Sequence, residues 1–175
     1  PPAAALAVAG AVAECGYDGC FLDANAVAPA TARQIGDVVA ADGAGTALDS
    51  YIAGTEPGAA SAVKMSFAAW SKGTSALLLA IRALAETEGV IDGLEHAWSV
   101  LTPDLIERAP ATARATAPKA WRFVGEMGEI AASFEAAGLP GGFHRAAADV
   151  YAAMADLRDV DGAELGDVIA RLTAG

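Results

Sequence analysis

At 175 residues, 54% hydrophobic and only 6% aromatic, the chain is long enough for one good core and a small appendage. Its formal charge of −11 argues against a nucleic-acid partner, because neutralising phosphates needs clustered Lys and Arg. No uncharged run reaches the ~20 residues of a membrane helix and no basic segment precedes an apolar start, so neither a membrane span nor a secretory leader is expected and the cytoplasm is the expected compartment. Alanine dominates the apolar set, which makes helix the prior throughout.

Pro1 to Ala13 reads as a helix with proline in its first turn, ended at Gly16. Gly19 to Asp23 reads as a short buried strand closing on a polar residue. Asn25 to Pro29 is a loop, and Pro29 to Ala41 a second helix with Ile35, Val38 and Val39 on its apolar side. This α-β-α piece has no sheet partner of its own, and an unpaired strand leaves backbone groups unsatisfied. Asp42 to Thr46 is a Gly-rich break, and Leu48 to Ile52 a second apolar stretch compatible with a strand.

Beyond Gly54 the pattern is helical only. A helix from Ala59 to Glu88 would be ~45 Å long at ~1.5 Å per residue. Further helices are expected over Ile91–Val100, and from Thr102 as N-cap with Pro103 and Asp104 in the first turn. Pro110 should stop or kink the latter. Pro118 should open a helix ending at Gly138 with Pro140 beyond. Gly142–Leu157 follows, then a short helix from Asp161 to Leu172 with Glu164 completing a capping box. Cys15 and Cys20, a C-x₄-C pair without a neighbouring His or third Cys, lack the ligand count for a metal and read as free thiols.

The long helix carries Lys64 and Lys72, two of the three lysines in the chain. With Lys64 at zero, Ser71, Ser75 and Arg82 lie within about 20° of it at ~100° per residue, and Ser61, Ala68, Lys72 and Glu86 within about 80°. One reading is a solvated face with Arg82 and Glu86 as an i, i+4 pair. The other is a cleft-lining lysine: small Ser and Ala residues beside Lys64 leave room for a molecule to approach it. Such a lysine binds an anion, or serves as general acid/base where desolvation lowers its pKa.

Gly58-x-Ala60-x-x-x-Lys64 resembles the G-x-G-x-x-x-K segment of the β-hydroxyacid dehydrogenase and 6-phosphogluconate dehydrogenase superfamily. Asp23-Ala-Asn25-Ala-Val-Ala-Pro29, followed by Arg33, resembles its D-x-S-T-x-x-P segment, in the family's order. AAWSKG, AIRALAETEGV, PKAWRFVGEMGEIA and GFHRAAADVY are similar to the C-terminal domain of a subgroup of phosphogluconate-dehydrogenase-like NAD(P)-dependent oxidoreductases, a domain of unknown function.

The resemblance implies a mainly α chain: an all-α C-terminal domain (residues 45–175) built on one long helix, preceded by an α-β-α remnant of a Rossmann-type domain (residues 1–44). It implies hydride transfer between NADP or NAD and a hydroxy-bearing carbon, with Lys64 as acid/base. Asn25, Ser61, Lys72 and His144 would contact the small-molecule substrate, and Asn25 and Arg122 the cofactor. It also implies a homodimer through the helical domain. The sequence departs from the family in four ways. Ala60 replaces the second glycine, and Phe67 and Ala68 stand where the family has asparagine. Gly125-Glu126-Met127 stands in place of a cofactor-contacting lysine, and no G-x-G-x-x-G occurs. That last motif is what seats a pyrophosphate on a helix N-terminus. By comparison with the family, the first half of the nucleotide domain and a stretch at Asp42–Thr46 are lacking. A non-catalytic helical dimerisation or interaction module left by truncation is therefore the alternative function.

Trp70, Trp98 and Trp121 are expected as core anchors, with a substrate pocket of Lys119, Trp121 and Arg122 as the alternative. His144 is a candidate general acid, with Arg145 as an anion clamp, and His96 a surface residue. Ser71, Ser75 and His144 form no recognisable triad, since no orienting acid can be placed. Glu126 and Glu129 have no identifiable metal-ligand partner.

Overall fold

The computed structural model describes residues 4–16, 21–23, 27–41, 47–49 and 58–174. The elements in chain order are α1 (Ala5–Glu14), β1 (Phe21–Asp23), α2 (Pro29–Ala41), β2 (Ala47–Asp49), α3 (Ala59–Thr87), α4 (Ile91–Leu101), α5 (Asp104–Thr116), α6 (Ala120–Ala136), α7 (Gly142–Ala153) and α8 (Leu165–Leu172). Short 3-10 segments lie at Ala117–Lys119 and Ala155–Asp159. The fold is mainly α, as the alanine-rich composition predicts. The expected domain boundary at residues 44–45 lies outside the described residues.

By its internal contacts the chain forms two compact units: Pro1–Trp70 with Gly125–Arg145, and Ser71–Val124 with Ala146–Gly175. In the first unit, Ala5 and Ala9 of α1 pack with Val27 and with Ile35 and Val39 of α2, and Phe21 of β1 leans on the same cluster. Alanine on α1 lets the two helices approach closely. Burying each of the larger aliphatic side chains is worth about 1.5–3 kcal/mol. The strand expected to lack a partner has one. β1 and β2 pair in parallel, with Phe21 opposite Ala47 and Asp23 opposite Asp49. Parallel strands need a crossover, and α2 supplies it.

In the second unit, Leu78 of α3, Trp98 of α4 and Ala109 of α5 form a core, joined by Ile81, Leu94, Leu105, Ile106 and Leu165 of α8. Pro110 does not stop α5, which runs on to Thr116; the one helical hydrogen bond proline removes is tolerated beside the fully buried Ala109 and Ala113. Thr102 is not the side-chain cap expected: no such bond closes the start of α5. The last helix begins later than expected. Gly162 has φ +70° and interrupts the chain, so Glu164 becomes the N-cap of α8 and Asp167 the reciprocal member of the capping box.

The glycine stops are placed as expected. At the end of α3, Gly89 has φ +66°, its N–H donates to the Glu86 carbonyl, and the Val90 N–H donates to that of Ala85. At the end of α6, Gly138 has φ +75°, its N–H donates to Glu135 O, and the Leu139 N–H donates to Phe134 O. Both are Schellman terminations, which satisfy carbonyls that a helix end would otherwise strand.

Candidate functional site

The start of α3 is fixed by contact with the start of α2. Gly58 is buried with φ +89°, and its carbonyl accepts the Ala62 N–H at 2.9 Å. A Cβ there would lie 3.0 Å from Arg33 Nη1 and 3.0 Å from the Pro29 carbonyl oxygen. Only glycine meets both demands, left-handed backbone and no side chain. The two sequence motifs, one ending in Pro29 and Arg33 and the other opening at Gly58, therefore meet in space. From α6, Glu129 Oε2 accepts the Ala28 N–H at 2.7 Å. A carboxylate at that point also favours the positive end of α2. Sequence reasoning gave Glu129 no role, because its partner lies 101 residues away.

Six residues from Gly58, Lys64 is exposed. Its stripe neighbours one turn to either side, Ser61 and Ala68, are 4% and 5% exposed. Asn25 lies outside the described residues. Phe67, which stands where the family has asparagine, is 72% exposed.

His144, the candidate general acid, belongs to the same unit. It is 5% exposed, with ring centroids 4.3 Å from Phe134 and 5.3 Å from Phe143. Desolvation lowers its pKa below the ordinary 6.5, so it is neutral at pH 7. Its Nδ1 is buried without a hydrogen-bond partner among the described residues. Arg145, the expected clamp, is held by Glu135 through Nε and Nη2 at 3.0 and 2.6 Å.

Lys72 and Arg122 are in the second unit. Lys72 is half-buried, its Nζ is 5.1 Å from the Phe123 ring centroid, and its carbonyl accepts the Tyr151 hydroxyl at 2.7 Å. Cation–π contact and packing against the Phe123–Tyr151 pair (centroids 5.2 Å apart) account for this lysine physically. Arg122 is exposed on α6. The reading of residues 79–88 as a solvated face is corrected. Arg82 is 7% exposed and bonds Glu95 of α4 as well as the expected Glu86, 3.5 Å away.

The tryptophans are corrected in part. Trp98 is buried at 8%, but Trp70 is 68% and Trp121 48% exposed, and Arg158 lies over the Trp121 ring at 5.8 Å. With Val63, Phe67, Leu77 and Leu84, all exposed, Trp70 forms a row along α3 at intervals of three, four and seven residues. Such a row lies on one face of a helix. Cys15 is a free, exposed thiol, while Cys20 lies outside the described residues. No group of metal-ligating side chains occurs among the described residues, and no described helix is long and apolar enough to cross a membrane.

Residues 85–154 match the family model of a domain of unknown function, DUF1932. Two solved structures share the fold of the chain. A conserved protein of unknown function, MTH1747, described as structurally similar to 3-hydroxyacid dehydrogenases, gives a TM-score of 0.61 at 23% identity, covering 90% of this chain and 73% of its own. A conserved hypothetical protein from Sinorhizobium meliloti 1021 gives 0.62 at 24% identity, covering 98% of this chain and 71% of its own. No curated protein matches the sequence significantly. The expected resemblance is thus borne out at the level of fold.

Proposed function

We propose that the chain supplies the proton-transfer side of a hydroxyacid-dehydrogenase-type reaction, with Lys64 as the general acid/base. The observation that carries this reading is the exposed Lys64 between buried Ser61 and Ala68, on a helix whose start is locked by Gly58 against Pro29 and Arg33. In this role the Lys64 amine takes the proton from a substrate hydroxyl during oxidation and returns it during reduction. Ser61, one turn earlier, orients the substrate. NAD or NADP, when bound, supplies the hydride acceptor or donor. The sequence has no G-x-G-x-x-G, the motif that seats a pyrophosphate on a helix N-terminus.

The test is a fluorescence titration of the chain with NADPH and NADH. Saturable quenching, followed by loss of turnover but not of cofactor affinity in Lys64→Ala, is the expected result. No binding at millimolar cofactor sinks the enzyme reading for this chain, and equal turnover in the variant removes Lys64 from the mechanism.

The alternative reading, a helical dimerisation module, is favoured by the exposed row Val63, Phe67, Trp70, Leu77 and Leu84 on α3. Two such rows pairing between copies would cover apolar surface of the kind obligate dimers bury. Light scattering at tens of micromolar should give a dimer, and Phe67→Glu with Leu84→Glu a monomer. A wild-type monomer counts against this reading.

A further inference from the structure

The first unit contains a cavity of about 330 Å³, at the lower end of the range of small-molecule sites. Its walls are carbon for the most part: Met65 from α3, and Phe134 and Leu139 from the end of α6. Phe134 and Leu139 are also the two residues joined by the Schellman bond, Leu139 N–H to Phe134 O at 2.9 Å, so this wall is set by a helix termination and does not depend on a loop. The cavity does not include Lys64; Met65 and Ala62 present a different face of α3.

Among the described residues, three side chains give the cavity its polarity. Ser66 Oγ donates to the Ala62 carbonyl at 2.9 Å, and Ser133 Oγ donates to that of Glu129 at 2.8 Å. With their hydrogens engaged, both hydroxyls offer only lone pairs to a ligand. Arg33 is the single charged side chain among the described residues of the lining. It is exposed, makes no ion pair among the described residues, and is held beside Gly58, where its Nη1 occupies the space a Cβ would need. The chemistry therefore asks for one anionic group at Arg33 and a hydrocarbon body within. The mostly carbon walls favour a ligand with a single anionic group over a multiply charged phosphate. A carboxylate matches the fork of an arginine.

We propose that this cavity binds a small organic monocarboxylate with a short apolar or aromatic body, its carboxylate on Arg33 and its body against Met65, Phe134 and Leu139. The site is separate from Lys64 and does not rest on the acid/base reading. Phenylpropionate serves as the probe and phenylpropanol as its neutral counterpart, in a two-dimensional amide NMR titration of the whole chain. The expected result is saturable shifts at Ala62, Ser66, Ser133 and Leu139 with the carboxylate and much weaker binding of the alcohol. Arg33→Gln should weaken the carboxylate about tenfold, the scale of one charge-assisted pair. Because Arg33 also packs against Gly58, Ser66→Trp provides a second variant: it fills the cavity from an exposed position and should abolish the shifts while the remaining spectrum is kept. The proposal is overturned by the absence of saturable shifts, by equal binding of the alcohol, or by undiminished binding to Ser66→Trp. It is also overturned if the binding is lost in Lys64→Ala, which would place the carboxylate on that lysine.

Discussion

Lys64 and Arg82 point in the same direction from α3, about five turns apart, and live in opposite surroundings. Lys64 is exposed between two buried small residues, whereas Arg82 is buried and engaged by Glu86 and Glu95. A helical wheel fixes direction only; the neighbouring element decides whether that direction meets water. For Arg82 the neighbour is α4, which brings Glu95 over the guanidinium. The cation near the start of α3 is exposed, and the one near its end is covered and paired.

The largest expected effect tests the first half of that contrast. Lys64→Ala should lower turnover by about 10²–10⁴-fold, the usual contribution of a positioned acid/base, with a thermal midpoint near that of wild type because the side chain is exposed. A large loss of stability instead would make Lys64 structural, like Arg82. Next comes Gly58→Ala, which forces a Cβ onto a left-handed residue and against Arg33 and Pro29. A cost of about 1–3 kcal/mol is expected in denaturant unfolding, and no cost would contradict the locked start of α3. Arg82→Met removes the buried cation and should cost about 1–3 kcal/mol. The two glutamates, being partly exposed, can return to water and keep the figure from rising further. Tyr151→Phe deletes the bond to the Lys72 carbonyl and should cost about 1 kcal/mol in the same assay.

The smallest effect is a pH dependence. Burial lowers the pKa of His144 from 6.5, so the unfolded chain takes up a proton before the folded one does. Unfolding free energy should therefore fall as pH drops through 6.5 toward the lower folded value, and be fully present above 6.5. His144→Phe should flatten that part of a thermal-midpoint profile, and an unchanged slope would show that the ring is not buried neutral.

What could be read from the sequence was local chemistry. Gly89 and Gly138 mark helix ends because a left-handed residue is cheap only at glycine, and the boundaries of α2 and the length of α3 follow from unbroken periodicity between such stops. The two motifs converging on Gly58 were legible as a pair, though not as a contact. What escaped depended on partners far along the chain. β1 pairs with a strand beyond a helix, Glu129 reaches Ala28 across 101 residues, and the burial of Arg82 depends on α4. Trp70 and Trp121 escaped for another reason: hydropathy says a ring prefers cover, and this chain alone leaves both largely in water. Among the candidate site residues, the enclosure of His144 by Phe134 and Phe143 was not readable.

The bond from Ala28 to Glu129 also bears on the order of events at the ribosome. The first unit draws on residues up to Trp70 and again on Gly125–Arg145, with the whole stretch Ser71–Val124 between them. As the chain emerges from its N-terminal end, α1, β1, α2 and the start of α3 are complete long before α6 exists to cap Ala28 or to wall the cavity. Until then the nascent segment holds its helices with an apolar side uncovered, a stage at which chains are prone to associate. The intervening segment can meanwhile form its own core around Leu78 and Trp98, so residues made before it are finished only after it.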